Sequence, residues 1–170
     1  MINIYLTNLG KYNEGYLVGE WVKLPVDDSE LEEVKKRIGI NDYYEEWFIT
    51  DYETDIDGLK IGEYEDIEYL NELAEIAEKD PDILAALVYQ GYTSIEDIKA
   101  HEDDVFYITT PDGFESEEYA VGYYYAIECS CLNIPDELIN YFDFEAYGRD
   151  IMLEGSFYVA SDGSIYETTC

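Results

Sequence analysis

The chain predicts an α+β fold built as an elongated chain of three small modules. Three observations carry this. Apolar–polar alternation near the N-terminus gives way to helical periodicity in the middle and returns towards the C-terminus. Cap, proline and glycine signals fall between these segments. Acids alternate with apolar residues throughout, which places them on the outer faces of folded elements. The modules are a β-rich one over 1–60 with one helix, a helical one over 61–103, and an α+β one over 104–170.

Ile2, Ile4 and Leu6 alternate with Asn3, Tyr5 and Thr7 as a half-buried strand does. Residues 8–15 (N-L-G-K-Y-N-E-G) read as a turn-rich connection, and 16–24 as a second strand stopped by Pro25. Ser29 with Glu32 forms a capping-box signal for a helix that turns Leu31, Val34 and Ile38 to one face and stops at Gly39. Residues 47–52 are a third strand. Residues 51–62, rich in acids and glycine, are the expected linker or long loop.

In the middle, Ile67, Leu70, Leu73, Ala74 and Ala77 share one helix face. Asp80 and Pro81 start a second helix that ends at Gly91, and 94–101 form a third. Beyond them 105–109 are a strand, Ser116 caps a helix through about Cys131, and Pro135 starts a short helix. Residues 151–154, 157–160 and 164–168 are strands, the last two joined by a hairpin at 161–163. Tyr5, Tyr16, Tyr107 and Tyr158 sit in strand patterns and are expected in or beside the core.

The 170 residues hold 41 acids and 9 bases, a formal charge of −32. Acid-rich chains poor in aromatics stay disordered. This one has 19 Tyr, 6 Phe and 2 Trp and is 47% hydrophobic, so it folds. The charge excludes nucleic acid and anionic membrane as partners, because phosphates would be repelled. It points to a basic partner, a cation or a saline habitat, and the wealth of Ile and Tyr argues against the last. No apolar run approaches the roughly 20 residues of a membrane helix. The start alternates as a strand and has no basic and apolar leader pattern, so a cytoplasmic protein is expected. Cys129, Cys131 and Cys170 read as reduced thiols, with the first pair too closely spaced for the usual metal site.

Enzyme signals are poor. His101 is the lone histidine and falls at a helix C-terminus, where an imidazole meets the helix dipole. There is no phosphate loop, nucleophile elbow or Cys–His pairing. Residues 53–58 (E-T-D-I-D-G) resemble half of a calcium loop, but Tyr64 stands where the bidentate Glu should be. Neither catalytic residues, nor a cofactor, nor a bound metal is expected.

The charge then sets a length. DNA carries one charge per roughly 1.7 Å of axis, so 32 charges match about 54 Å, or about 16 base pairs. A sphere of this chain length is only about 40 Å across, which favours an elongated string of modules. A dimer would reach about 32 base pairs.

Residues 132–150 stand out. From 100 to 148 there is no Lys or Arg, while 12 acids occur, and 141–150 cluster aromatics. Residues 8–15, Trp21, 51–53 (D-Y-E) and above all 141–150 (Y-F-D-F-E-A-Y-G-R-D) resemble the ArdA antirestriction proteins of mobile genetic elements, in the family's order and over nearly the whole chain. The resemblance implies an elongated, curved, three-domain DNA mimic. It would dimerise through its C-terminal domain and occupy the DNA-binding groove of type I restriction–modification enzymes. It places the antirestriction motif at 132–150, near the dimer contact.

The acids expected to face the partner are Glu102, Asp103, Asp104, Asp112, Glu115, Glu117, Glu118, Glu128, Asp136, Glu137, Asp143 and Glu145. Tyr123, Tyr124, Tyr125, Tyr141, Phe142, Phe144 and Tyr147 are candidates for the homodimer contact, and Arg149 for a structural pair with a nearby acid. An acidic adaptor for another basic protein, or a weak calcium-binding or hydrolytic protein, are the other readings.

Overall fold

Alternation at the N-terminus is met by β1 (Ile2–Asn8), which buries Ile2, Ile4 and Leu6 and leaves Asn3 and Tyr5 half-buried. In this computed structural model residues 1–110, 113–114 and 116–169 are described. β1 lies between β2 (Gly19–Leu24) and β3 (Trp47–Thr54) in an antiparallel sheet of order β2-β1-β3. The register of β1 with β3 shifts between Tyr5 and Leu6, a bulge that leaves Thr50 without an opposite residue.

Three expectations change here. Residues 8–15 contain a short helix, α1 (Leu9–Asn13), because the Asn8 side chain accepts the Lys11 N–H at 3.0 Å and caps it. Residues 16–18 lie outside β2, and Tyr16 is exposed. α2 (Asp28–Arg37) is capped by Asp27, which accepts the Glu30 N–H at 2.9 Å, two residues before Ser29. Asp27 and Glu30 repeat the same acceptor spacing, so the sequence carried two overlapping start signals. Leu31 and Val34 are buried on α2, and Gly39 (φ +85°) ends it as expected.

The expected linker at 51–62 is structured. Its first four residues complete β3, and Ile56 and Ile61 are buried. α3 (Ile67–Lys79), capped by Asp66, buries Ile67, Leu70, Leu73, Ala74, Ile76 and Ala77. The Asn71 amide makes a two-bond clasp with the Val26 backbone (2.9 and 2.8 Å), which fixes α3 to the chain just after β2. α4 (Pro81–Gln90) starts on the Asp80 carboxylate and ends at Gly91 (φ +96°). α5 (Ile95–His101) is capped by Ser94.

The chain divides into two compact units, Met1–Ala85 and Ala86–Cys170. In the second, β4 (Val105–Ile108), β5 (Phe157–Val159) and β6 (Ile165–Thr168) form an antiparallel sheet of order β4-β6-β5. β5 and β6 are the expected hairpin, turning at Gly163 (φ +89°). Tyr158 is buried, whereas Tyr107 is half exposed. α6 (Glu117–Tyr123), capped by Ser116, passes into a wider π-type turn at Tyr124–Glu128 and stops before Cys131.

The strand expected at 151–154 is absent. Those residues finish α7 (Phe144–Glu154), started by the Asp143 carboxylate on the Ala146 N–H (2.9 Å). Ile108, Ala120, Val121 and Ile165 form the core of this unit, with Ile151 and Phe157 against them. Among the described residues no helix is long and apolar enough to cross a membrane.

Candidate functional site

Helix starts in this chain are made largely by acids. Asp27, Asp66, Asp80 and Asp143 cap α2, α3, α4 and α7, and Glu117, Glu118 and Glu145 sit in first turns. There a negative charge meets the positive end of the helix dipole and gains about 0.3–1 kcal/mol. Part of the anionic surface therefore also holds the fold.

The acids fall into two electrostatic groups. On α2 the first half is acidic and the second basic. Glu32 and Glu33 meet Lys35 and Lys36 at 2.9 and 2.7 Å, and Arg37 bridges Glu20 on β2 (2.8 Å) and Glu30 (2.7 Å). The hydrogen bonds from these cations hold the Glu20, Glu32 and Glu33 carboxyls below the usual carboxylate range and push Lys36 and Arg37 above theirs. Asp55 takes the N-terminal ammonium of Met1. This part of the surface is locally neutralised.

Over the chain as a whole, acids far outnumber bases. The first unit holds 23 acids and seven bases, the second 18 acids and two bases, so each has a formal charge of −16. In the second unit Lys99 and Arg149 are the only cations. Arg149 is exposed and has no ion-pair partner among the described residues, contrary to the expected structural pair. It lies on α7 next to Gly148.

Of the acids expected to face a partner, Asp103, Glu117, Glu128, Asp136, Glu137, Asp143 and Glu145 are exposed; Glu102, Asp104 and Glu118 are half-buried. The structure spreads them over the turn after α5, the starts of α6 and α7, and a 3-10 turn at Asp136–Tyr141. Asp112 and Glu115 lie outside the described residues.

The aromatic candidates do come together. Phe144 is buried, with Tyr119, Tyr123 and Phe142 around it at ring separations of 5.5, 5.4 and 4.9 Å. Tyr147 packs on Phe142 at 5.7 Å. Tyr124 and Tyr125 are half-buried and face the unit's core. Tyr125 donates to Glu167; burial, then that bond, push its phenol well above the usual range. Tyr124 is also raised, chiefly by its hydrogen bond with Cys129. Only Tyr141 stands free, 85% exposed, with Leu138 of the same 3-10 turn also exposed.

What sequence reasoning missed is how α6 and α7 meet. A Cβ on Gly148 would lie 1.8 Å from the Glu118 carbonyl oxygen and 2.6 Å from the Gly122 nitrogen. A Cβ on Gly122 would lie 1.9 Å from the Phe144 carbonyl oxygen. The two backbones touch through this glycine pair, and the aromatic cluster closes around it. Two glycines inside helical patterns were the available signal.

The other candidates take structural places. His101 ends α5, its Nδ1 2.7 Å from the Asp97 carbonyl oxygen and its ring 4.8 Å from Tyr92. In the calcium-like segment the Thr54 hydroxyl accepts the Ile56 N–H and Asp55 is taken by the terminal amine. Among the described residues no three acids, cysteines or histidine converge as a metal site would require.

The family model described as Antirestriction protein (ArdA) matches residues 4–166. Among curated proteins no match is found.

Proposed function

The chain belongs to the ArdA antirestriction protein family, and from that premise we propose that it acts as a DNA mimic in the DNA-binding groove of a type I restriction–modification enzyme. Antirestriction is its function and restriction enzymes are its partner class; members of the family are inhibitors rather than enzymes.

One observation carries the mimicry: each unit has a formal −16, borne on ordered helices and turns and neutralised mainly along α2. Charge fixed on rigid elements can be arrayed as phosphates are. A single helix is too sparse for this. Glu68, Glu72 and Glu75 lie along one side of α3, about 10 Å from first to last, or one charge per roughly 5 Å. A DNA strand has one per roughly 3.4 Å. Mimicry therefore needs several elements side by side, and no single acid dominates it.

Self-repulsion and the charge arithmetic favour the elongated three-module arrangement, and a homodimer would double the charged length. The test is competition. Purified enzyme, DNA and rising protein should show displacement of DNA that weakens steeply between 50 and 200 mM salt, as polyelectrolyte binding does. Enzyme that still bound and cut DNA normally in excess protein would overturn the reading.

A further inference from the structure

The three strands of the first unit bring Trp21, Tyr5 and Asp51 into one row. Trp21 on β2 and Asp51 on β3 are the cross-strand partners of Tyr5 on β1. Directly opposed residues project to the same face of a sheet. That face is the outer one, since Ile4 and Leu6 on either side of Tyr5 are buried. Together with Tyr12, Leu17 and Thr50 the row lines a cleft of about 380 Å³.

Its walls are fixed. The Tyr5 ring lies over Gly19, where a Cβ would come within 2.6 Å of it, and its hydroxyl donates to the Gly19 carbonyl at 3.1 Å. Trp21 stands edge-to-face against Tyr5 at 5.3 Å and 66°. Tyr12 is held against Phe48 at 5.2 Å. The Thr50 hydroxyl is paired with that of Thr7 at 2.7 Å, and Asp51 accepts the Tyr52 N–H at 2.9 Å. Yet Trp21 is 44% and Tyr12 49% exposed. Asp51 is the only charged residue in the lining. Lys23, two pairs further along the sheet, sits in the row of Asn3 and Glu53.

Aromatic faces attract cations, and a carboxylate beside them adds a full charge and an acceptor. A guanidinium is planar and weakly hydrated, so it can stack on a ring and fork onto a carboxylate; an ammonium is compact and strongly hydrated. We propose that this cleft receives one arginine side chain of the protein partner, as a discrete anchor within a diffuse anionic surface. The identity of the occupant rests on charge complementarity: a chain of −32 meets a cationic surface. It also rests on the reading of the protein as a competitor of DNA.

Two measurements test it. N-acetyl-arginine amide is titrated into the full chain in 0.3 M NaCl, which screens the diffuse field. The indole N–H of Trp21 is followed by NMR, with Trp47 as the internal reference. The Trp21 signal should saturate in the millimolar range while Trp47 drifts little. Asp51→Asn should weaken binding at least about threefold, and N-acetyl-lysine amide should bind more weakly. Equal, non-saturating drift of both indoles, or lysine binding as well as arginine, would overturn the proposal.

In the enzyme competition, Trp21→Leu should raise the half-inhibitory concentration roughly tenfold without changing its salt dependence, because no charge is lost. Trp21→Phe should restore part of it. A Trp21→Leu protein that folds and inhibits as well as the wild type removes the anchor. Should the wild type fail to displace DNA at all, distributed mimicry falls, and the arginine titration still decides the cleft.

Discussion

Gly148→Ala is the sharpest probe of the α6–α7 contact. In an ordinary exposed helix this change stabilises by about 0.5–1 kcal/mol, because glycine loses more backbone freedom on folding. Here the new methyl would lie 1.8 Å from the Glu118 carbonyl oxygen. Ordinary contact needs about 3.4 Å, so the helices must part by about 1.6 Å. Both obstacles are backbone, so no rotamer change relieves the clash. A gap of even 0.5–1 Å forfeits a quarter to a half of each dispersion contact across an interface. Overpacking costs about 1–3 kcal/mol before that loss is added. We expect about 3 kcal/mol or more, a fall in the melting temperature of the second unit by about 12–24 °C at the 4–8 °C per kcal/mol typical of this size. Gly122→Ala should behave alike, and the double variant should lose less than the sum, because the first methyl has already separated the helices. Gly10→Ala is the contrast, since its Cβ would meet only the Tyr44 side chain. Thermal circular dichroism on the four variants reads this directly. A Gly148→Ala protein that melts at or above the wild-type temperature would refute the close crossing.

Four further outcomes are expected. Raising NaCl from 10 to 500 mM should raise the melting temperature, because screening relieves self-repulsion of a −32 chain; a fall would show that local ion pairs outweigh it. The Tyr125 phenol is raised in the folded state, so it lends stability that is full below the unfolded tyrosine value near 10 and lost as pH rises beyond it. Tyr44, Tyr69 and Tyr124 add to the same alkaline loss. Tyr125→Phe should therefore flatten the fall in melting temperature between pH 9 and 11, and an unaltered slope would contradict the assignment. Single changes such as Glu137→Gln should alter inhibition less than about twofold, whereas Glu102, Asp103, Glu128 and Glu137 neutralised together should cost more than tenfold and lower the salt slope. One exposed single change that abolished inhibition would point to a discrete site instead. Finally, Tyr141→Ala should shift a dimer towards monomer in a mass measurement, and an unchanged mass would move the subunit contact away from the 3-10 turn.

Where local chemistry decides structure, the sequence could be read. β1 shows its alternation, and Asp80, Pro81 and Gly91 bracket α4 to the residue. Where a distant contact decides it, the sequence could not. Ile151, Met152 and Leu153 are as compatible with a buried strand as with a helix. They become helical because Asp143 starts α7 eight residues before Ile151, and because Gly148, three residues before it, lets the helix lie against Gly122 of α6. The row of Trp21, Tyr5 and Asp51 was hidden for the same reason. Three residues from three strands meet only through the register, and the bulge at Thr50 decides which residue of β3 stands opposite Tyr5. The acidic character was legible, but its division into neutralised and free surface was not, because Arg37 reaches back to Glu20 across 17 residues.

The capping acids couple the fold to the proposed mimicry. Asp143 supplies charge to the surface and also the acceptor that starts α7. Replacing it by Asn keeps most of the cap and removes the charge; replacing it by Ala removes both and costs about 1 kcal/mol more. A neutralisation series that mixes such residues with Glu128 or Glu137 would confuse unfolding with loss of recognition. Asn substitutions at Asp27, Asp66, Asp80 and Asp143 separate the two effects. If mimicry depends on charge alone, Asp143→Asn and Glu137→Gln should weaken inhibition equally at equal folded fraction. A larger loss at Asp143 with melting temperature unchanged would mean that the start of α7 touches the enzyme directly.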